Sequence, residues 1–261
     1  MFNTITFLLF SQLAVGGLLS ISLVPDQAGK SFFRFCSATC AILLAIALFV
    51  VNQIAPFPLL CLAISLAVGC LSTIFVVTDR NKWARVSFIT ATLAGMIGLC
   101  AQGLTATPAG LPIWVTVTSV IYLMAGSIFL GSIIFGMALG HWYLNVPTLP
   151  ITPLRSLARL TIAATATKAI LLTLILWLGT GSPVPEIADT IQSFARLSGL
   201  FFWARVLFGL IGPAVVAYMT WETIKLNAIQ SATGLLYVNT ILVLIGETLS
   251  LFLYHTTHLP V

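Results

Sequence analysis

Charge is what this chain of 261 residues has least of: Asp, Glu, Lys and Arg together make up 7% of it, against ~25% in soluble domains. With 59% hydrophobic residues there is too little polar surface to enclose a water-facing globule, so lipid is its solvent. From Phe35 to Thr78, and again from Val86 to Leu154, no ionisable Asp, Glu, Lys or Arg occurs; each stretch holds two spans of ~20 apolar residues. The alternating pattern of outer-membrane barrel strands is also missing, which leaves helices to satisfy the backbone in hydrocarbon. None of the five cysteines forms a CxxC pair, which excludes a disulfide framework and any zinc or iron–sulfur site of the usual spacing. Cys36 and Cys40, one helical turn apart, read as small packing residues. The opening Met-Phe-Asn-Thr lacks the basic region of a cleavable signal, so the first apolar run is expected to remain as a helix. Nucleotide-binding loops, catalytic-triad spacings and long polar domains are absent too, which excludes soluble group-transfer chemistry.

What is present is a series of apolar runs punctuated by Pro, Gly, Asn and charge. The spans are read at 4–24, 33–52, 57–78, 84–102, 112–144, 157–179, 197–221 and 231–254, a single polytopic domain over 1–261. Of the connections, only the sixth, Thr180–Arg196, is long enough to carry a small surface helix. Eight spans suit two four-helix bundles. The net charge of +5 would suggest nucleic acid in a soluble protein, but here the cations lie in turns, no nucleic-acid partner is expected, and the charges set topology. Lys30, Arg34, Arg80, Lys82, Arg85, Arg155, Arg159 and Lys225 fall on one side and Arg196 alone on the other. Short loops rich in Lys and Arg stay in the cytoplasm, so both termini are expected on the periplasmic or exterior face of a bacterial inner membrane.

Three ionisable residues remain inside the bilayer: Lys168 in span six, Arg205 in span seven and Glu247 in span eight. Such groups are costly in hydrocarbon and are functional candidates by default. Counted from the span ends, Arg205 and Glu247 both lie ~10–12 Å below the exterior face, so antiparallel neighbours would pair them. Lys168 lies nearer the midplane, as a proton carrier or a snorkelling side chain. Span five carries Gly126, Gly131, Ser132, Gly136 and Gly140, a side with little bulk that admits a close helix or a flat cofactor. At its cytoplasmic end stand His141, Trp142 and Tyr143; the ring of His141 reads either as a proton-handling or quinone contact or as a structural histidine, and the aromatics as interfacial anchors. His255 and His258 would share one side of a continued helix and could touch a metal, a haem edge or a quinone, or form a plain tail. His141 and this pair are on opposite faces, so no haem or metal is expected to be held by this chain alone.

From Gly199 onward the residues carry a likeness: Gly-Leu-Phe-Phe-Trp-Ala-Arg-Val-Leu-Phe-Gly-Leu-Ile-Gly-Pro, then Ala-Thr-Gly-Leu-Leu-Tyr-Val and Leu-Ile-Gly-Glu-Thr-Leu-Ser-Leu-Phe-Leu-Tyr. This pair of segments resembles the final helices of the polytopic membrane subunits of polysulfide, nitrite and dimethyl sulfoxide reductases, across about a fifth of the chain. The resemblance implies an anchor subunit of a respiratory or other redox complex that binds quinone or quinol and exchanges electrons with an iron–sulfur or cytochrome partner subunit. No counterpart of the family's quinone contacts stands in spans two to four, which hold no charge apart from Arg34 and Arg85 at their cytoplasmic ends. A quinone head group needs a donor and an acceptor near an interface and a proton path to water. Arg205, Glu247 and His255 supply these on the exterior side, His141 and Tyr143 on the cytoplasmic side, and the exterior set is favoured, with Glu247 and Arg205 as the reactive pair. A small transporter or proton channel, or a structural subunit of a large membrane assembly, would share the same composition; of these, a transporter should show paired helix breaks, and Gly212-Pro213 is the strong one.

Overall fold

The computed structural model describes residues 2–51, 54–108, 110–146, 148–194 and 199–261; Arg196, the lone exterior cation of the charge pattern, lies outside them. Every regular element among them is helical: α1 (Phe2–Ser22), α2 (Lys30–Val50), α3 (Pro56–Val77), α4 (Asn81–Ala106), α5 (Ile113–Trp142), α6 (Thr152–Thr180), α7 (Pro185–Phe194), α8 (Leu200–Val206), α9 (Gly212–Lys225) and α10 (Ile229–Thr257). A π-helical stretch, Leu207–Ile211, fuses α8 to α9, so this unit and seven other helices are each long and apolar enough to cross a membrane. The chain is an all-α polytopic membrane protein. The short α7 is the surface helix expected in the sixth connection: it buries Ile187, Ile191 and Phe194 and exposes Glu186 and Asp189.

The breaks are placed by local backbone chemistry. Pro56, Pro153 and Pro185 stand in the first turn of α3, α6 and α7, where a missing N–H costs nothing. Gly29, Asp79 and Asn227 take left-handed φ values of 84°, 63° and 57° in the tight turns after α1, α3 and α9. The π stretch has a similar cause: Pro213 offers no N–H, and its ring would strike the carbonyl of Gly209 in a regular α-helix, so the turn widens and the span continues.

Two sequential four-helix rings result. The first is α1, α2, α3 and α4; the second is α5, α6, α8–α9 and α10. They are joined chiefly through α1 and α5, where a β-carbon on Gly131 would collide with the backbone of Gly16. A β-carbon on Gly140 would meet the side chain of Thr233 of α10. The small-residue side of α5 is therefore used for close helix packing.

All eight loop cations gather at one end of the molecule, the basic end. There Lys30 pairs with Asp79 and Arg85 with Asp26 at 2.7 Å, tying the α1–α2 and α3–α4 turns together. The start of α1 and the end of α10 lie at the other end, where Thr257 and His258 stand beside Glu186 and Thr190 of α7. Between the ends the outer surface is apolar: Phe49, Leu93, Ile170 and Ile241 are exposed, as lipid-facing residues must be. Trp83 at the basic end and Trp177 and Trp203 at the other mark the interfacial belts.

Candidate functional site

The charged centre of the second ring is built from side chains on four helices. Lys168, in the middle of α6, reaches across to Glu247 of α10, with Nζ donating at 2.6 Å to Oε1 and 2.5 Å to Oε2. Both side chains are shut off from the surface. An ammonium and a carboxylate survive there because each is the other's main partner; either alone would carry a cost of several kcal/mol. The ammonium also lies 4.5 Å from the centre of the Tyr122 ring of α5 and 5.8 Å from that of Phe129, which places two π faces against the charge.

One turn on along α10, Ser250 collects the remaining polar groups. Its hydroxyl accepts from Tyr122 Oη at 2.9 Å and from Arg205 Nε at 3.1 Å, and donates to the Val261 carbonyl at 2.5 Å. That uses its one donor and two acceptor positions. Arg205 is 2% exposed, and its Nη1 has no partner among the described residues. The Tyr254 ring packs on Tyr122 at 5.6 Å between centroids. Two buried cations thus share one carboxylate, and a guanidinium donor stays unused. The residues after α10 cap this centre: His258 adopts a left-handed conformation and turns the chain back, burying Leu259 and Val261.

The depth argument pairs Arg205 with Glu247; in the structure Glu247 pairs with Lys168, and Arg205 binds Ser250 of the same cluster. The reason is geometric. α8 begins at Leu200, so Arg205 is five residues in, whereas α10 continues to Thr257, which puts Glu247 ten residues from its end. At ~1.5 Å per residue that offset is ~7 Å, about one turn, and Ser250 is the α10 residue nearer the level of Arg205. Lys168, twelve residues before Thr180, lies at nearly the depth of Glu247.

The other candidates stand apart. His255 is partly exposed near the end of α10, and the turn at His258 takes the second ring off the helix side they would have shared. No group of three or more His, Cys, Asp or Glu converges to hold a metal among the described residues. At the basic end, His141 Nδ1 lies 3.4 Å from Tyr237 Oη. Tyr143 Oη donates at 2.5 Å to the Pro150 carbonyl, and burial pushes its phenol up to about 12, so it keeps this proton and anchors the α5–α6 turn. Trp142 Nε1 likewise donates to the Ala28 carbonyl at 2.8 Å.

Sequence reasoning does not single out Tyr122 and Ser250. A usable signal exists: Glu247, Ser250 and Tyr254 recur at three- and four-residue spacing, so one side of α10 is polar deep inside an apolar run. Neither protein-family models nor curated protein sequences give a match to this chain. The site must speak through its own geometry.

Behind the cluster, a cleft of about 430 Å³ lies between α6 and α9 on the outer face of the second ring. Thr165 and Leu172, one turn before and after Lys168, and Val206, next to Arg205, line it. Its walls are almost entirely apolar.

Proposed function

We propose that this chain is the membrane anchor subunit of a redox complex, binding quinone or quinol and exchanging electrons with an iron–sulfur or cytochrome partner subunit. The observation that carries the reading is the buried group in which Arg205, Glu247 and Ser250, from the helix pair that resembles the reductase anchors, meet Lys168 of α6 and Tyr122 of α5, with the α6–α9 cleft lined by neighbours of Lys168 and Arg205. Quinol oxidation releases two protons with two electrons, so the site needs a carboxylate that can take a proton and donors that hold the ring oxygens. Glu247 has the first property and the free Nη1 of Arg205 has the second, whereas the Tyr122 proton is held by Ser250. The cleft is within the ~300–1,000 Å³ range of small-molecule sites, and its apolar walls suit a molecule that arrives through the bilayer with its tail in lipid. The basic end is assigned to the cytoplasm of a bacterial inner membrane by the charge rule, which puts the cluster in the exterior half.

Replacing Glu247 with Gln tests the reading. The amide oxygen can still accept from Lys168, but the proton-accepting capacity is gone. Quinone-linked turnover of the complex purified in mild detergent is expected to fall ~10²-fold with its subunits still copurifying. Unchanged turnover, or a purified chain that brings neither quinone nor a redox partner, would overturn it.

A further inference from the structure

At the end of the molecule opposite the loop cations lies a hollow of about 730 Å³, apart from the α6–α9 cleft. Three segments wall it: the α4–α5 turn through Leu111, the first turns of α7 through Glu186, Ile187 and Thr190, and the last turn of α10 through Thr257 and His258.

The polar side chains around this hollow have acceptors to offer and almost no free proton. Glu186 is an exposed carboxylate, and none of the ion pairs among the described residues includes it. Thr190, Thr256 and Thr257 give their hydroxyl protons to carbonyls of their own helices, those of Glu186 at 2.7 Å, Phe252 at 3.0 Å and Leu253 at 2.8 Å, and keep only oxygen lone pairs for another partner. The ring of His258 can act either way. The backbone agrees. α10 ends here, so its last carbonyls and the negative end of its dipole belong to this end of the molecule. The opposing start of α7 donates little: Pro185 carries no N–H, and the N–H groups of Ile187 and Ala188 are taken by the Val184 carbonyl. Asp189 adds a second exposed carboxylate on α7, and no exposed Lys or Arg stands at this end among the described residues.

The hollow is also joined to the charged centre. His258 turns the chain back, and Val261 behind it accepts from Ser250, the residue that accepts from Arg205 and Tyr122.

An occupant must therefore bring donors, positive charge and apolar surface for Leu111 and Ile187. Arginine meets all three needs, with five donors, no acceptor and an apolar stem. A free cation would be held weakly, because an exposed ion pair contributes at most ~1 kcal/mol; a guanidinium carried on a larger interface is retained by the rest of that interface. We infer that the hollow is the docking site of the redox partner subunit, which enters it with an arginine-bearing segment whose guanidinium binds Glu186. The inference rests on the anchor-subunit reading and adds the face, the pocket and the chemistry of the partner's contact.

The test uses the complex purified in mild detergent, with a benzophenone-bearing phenylalanine analogue in place of Thr190. Irradiation should join the chain to the copurifying polypeptide that carries the iron–sulfur or haem absorbance. Glu186→Arg, at an exposed position outside the core, should lower both the adduct and the copurified partner about ten-fold, and Glu186→Asp should keep them. The analogue in place of Ile170, on the lipid-facing side of α6, should give no such adduct. A redox partner that copurifies yet neither joins position 190 nor responds to Glu186→Arg would overturn the inference and leave the anchor reading standing. An adduct with lipid alone, or with a second copy of this chain alone, would do the same. A chain that brings no redox partner overturns the anchor reading and this inference with it.

Discussion

Lys168 and Glu247 are each costly in hydrocarbon and tolerable together, so a single truncation should expose the difference. Lys168→Met leaves the carboxylate buried beside Arg205, which binds elsewhere, and is expected to cost ~3–5 kcal/mol. Lys168→Met combined with Glu247→Leu removes both charges at similar volume and should recover most of that loss. Thermal unfolding in detergent, followed by helical circular dichroism, measures both; equal loss in the single and double variants would show that the pair does not hold the ring together. At this scale the sequence makes the three intramembrane charges plain, because each interrupts an apolar run, but their pairing is hidden. It depends on where α8 and α10 end, and a shift of a few residues moves a side chain by a turn. Tyr122 and Ser250 are hidden for another reason: a lone hydroxyl in a span is ordinary until the group it binds is known.

The helices themselves were largely written in composition and spacing. Apolar runs interrupted by Pro56, Pro112, Pro153 and Asp79 mark their limits, and the length of the sixth connection leaves room for the surface helix α7. What spacing does not reveal is which glycine touches which helix. Gly212-Pro213 reads as a break, yet the span passes through it by widening into a π turn, and Gly209 there meets Gly246 of α10 one residue from Glu247. A β-carbon on Gly246 would collide with the backbone of Gly209, whereas one on Gly234 of the same helix meets nothing within 4 Å. Gly246→Ala should therefore destabilise by ~1–3 kcal/mol through forced separation of the π stretch and α10. Gly234→Ala should stabilise slightly, by up to ~1 kcal/mol of helix propensity. The same melting experiment on both variants checks the pair, and equal effects would refute the close crossing.

For the whole molecule, eight spans and two rings follow from elementary limits: too little charge for a soluble surface, ~20 residues per crossing, and an even number of crossings that brings both ends to one face. The direction of insertion rests on a different physical quantity, the distribution of cations. Lys30, Arg34, Arg80, Lys82, Arg85, Arg155, Arg159 and Lys225 stand together at the basic end, partly offset by Asp26, Asp79 and Glu222, while Glu186 and Asp189 face outward on α7 at the other. Cations in short loops resist translocation and acidic residues contribute little, so the basic end is expected in the cytoplasm. Lys82 and Asp189 are exposed at opposite ends and serve as reporters. In a variant freed of its five native cysteines, Asp189→Cys should react with a membrane-impermeant maleimide on intact cells, and Lys82→Cys should react only after the membrane is opened. The reverse pattern would turn the molecule over. It would also move Glu247, Arg205 and the cleft to the cytoplasmic half, so that the proposed quinol oxidation would have to release its protons on the inside rather than the outside.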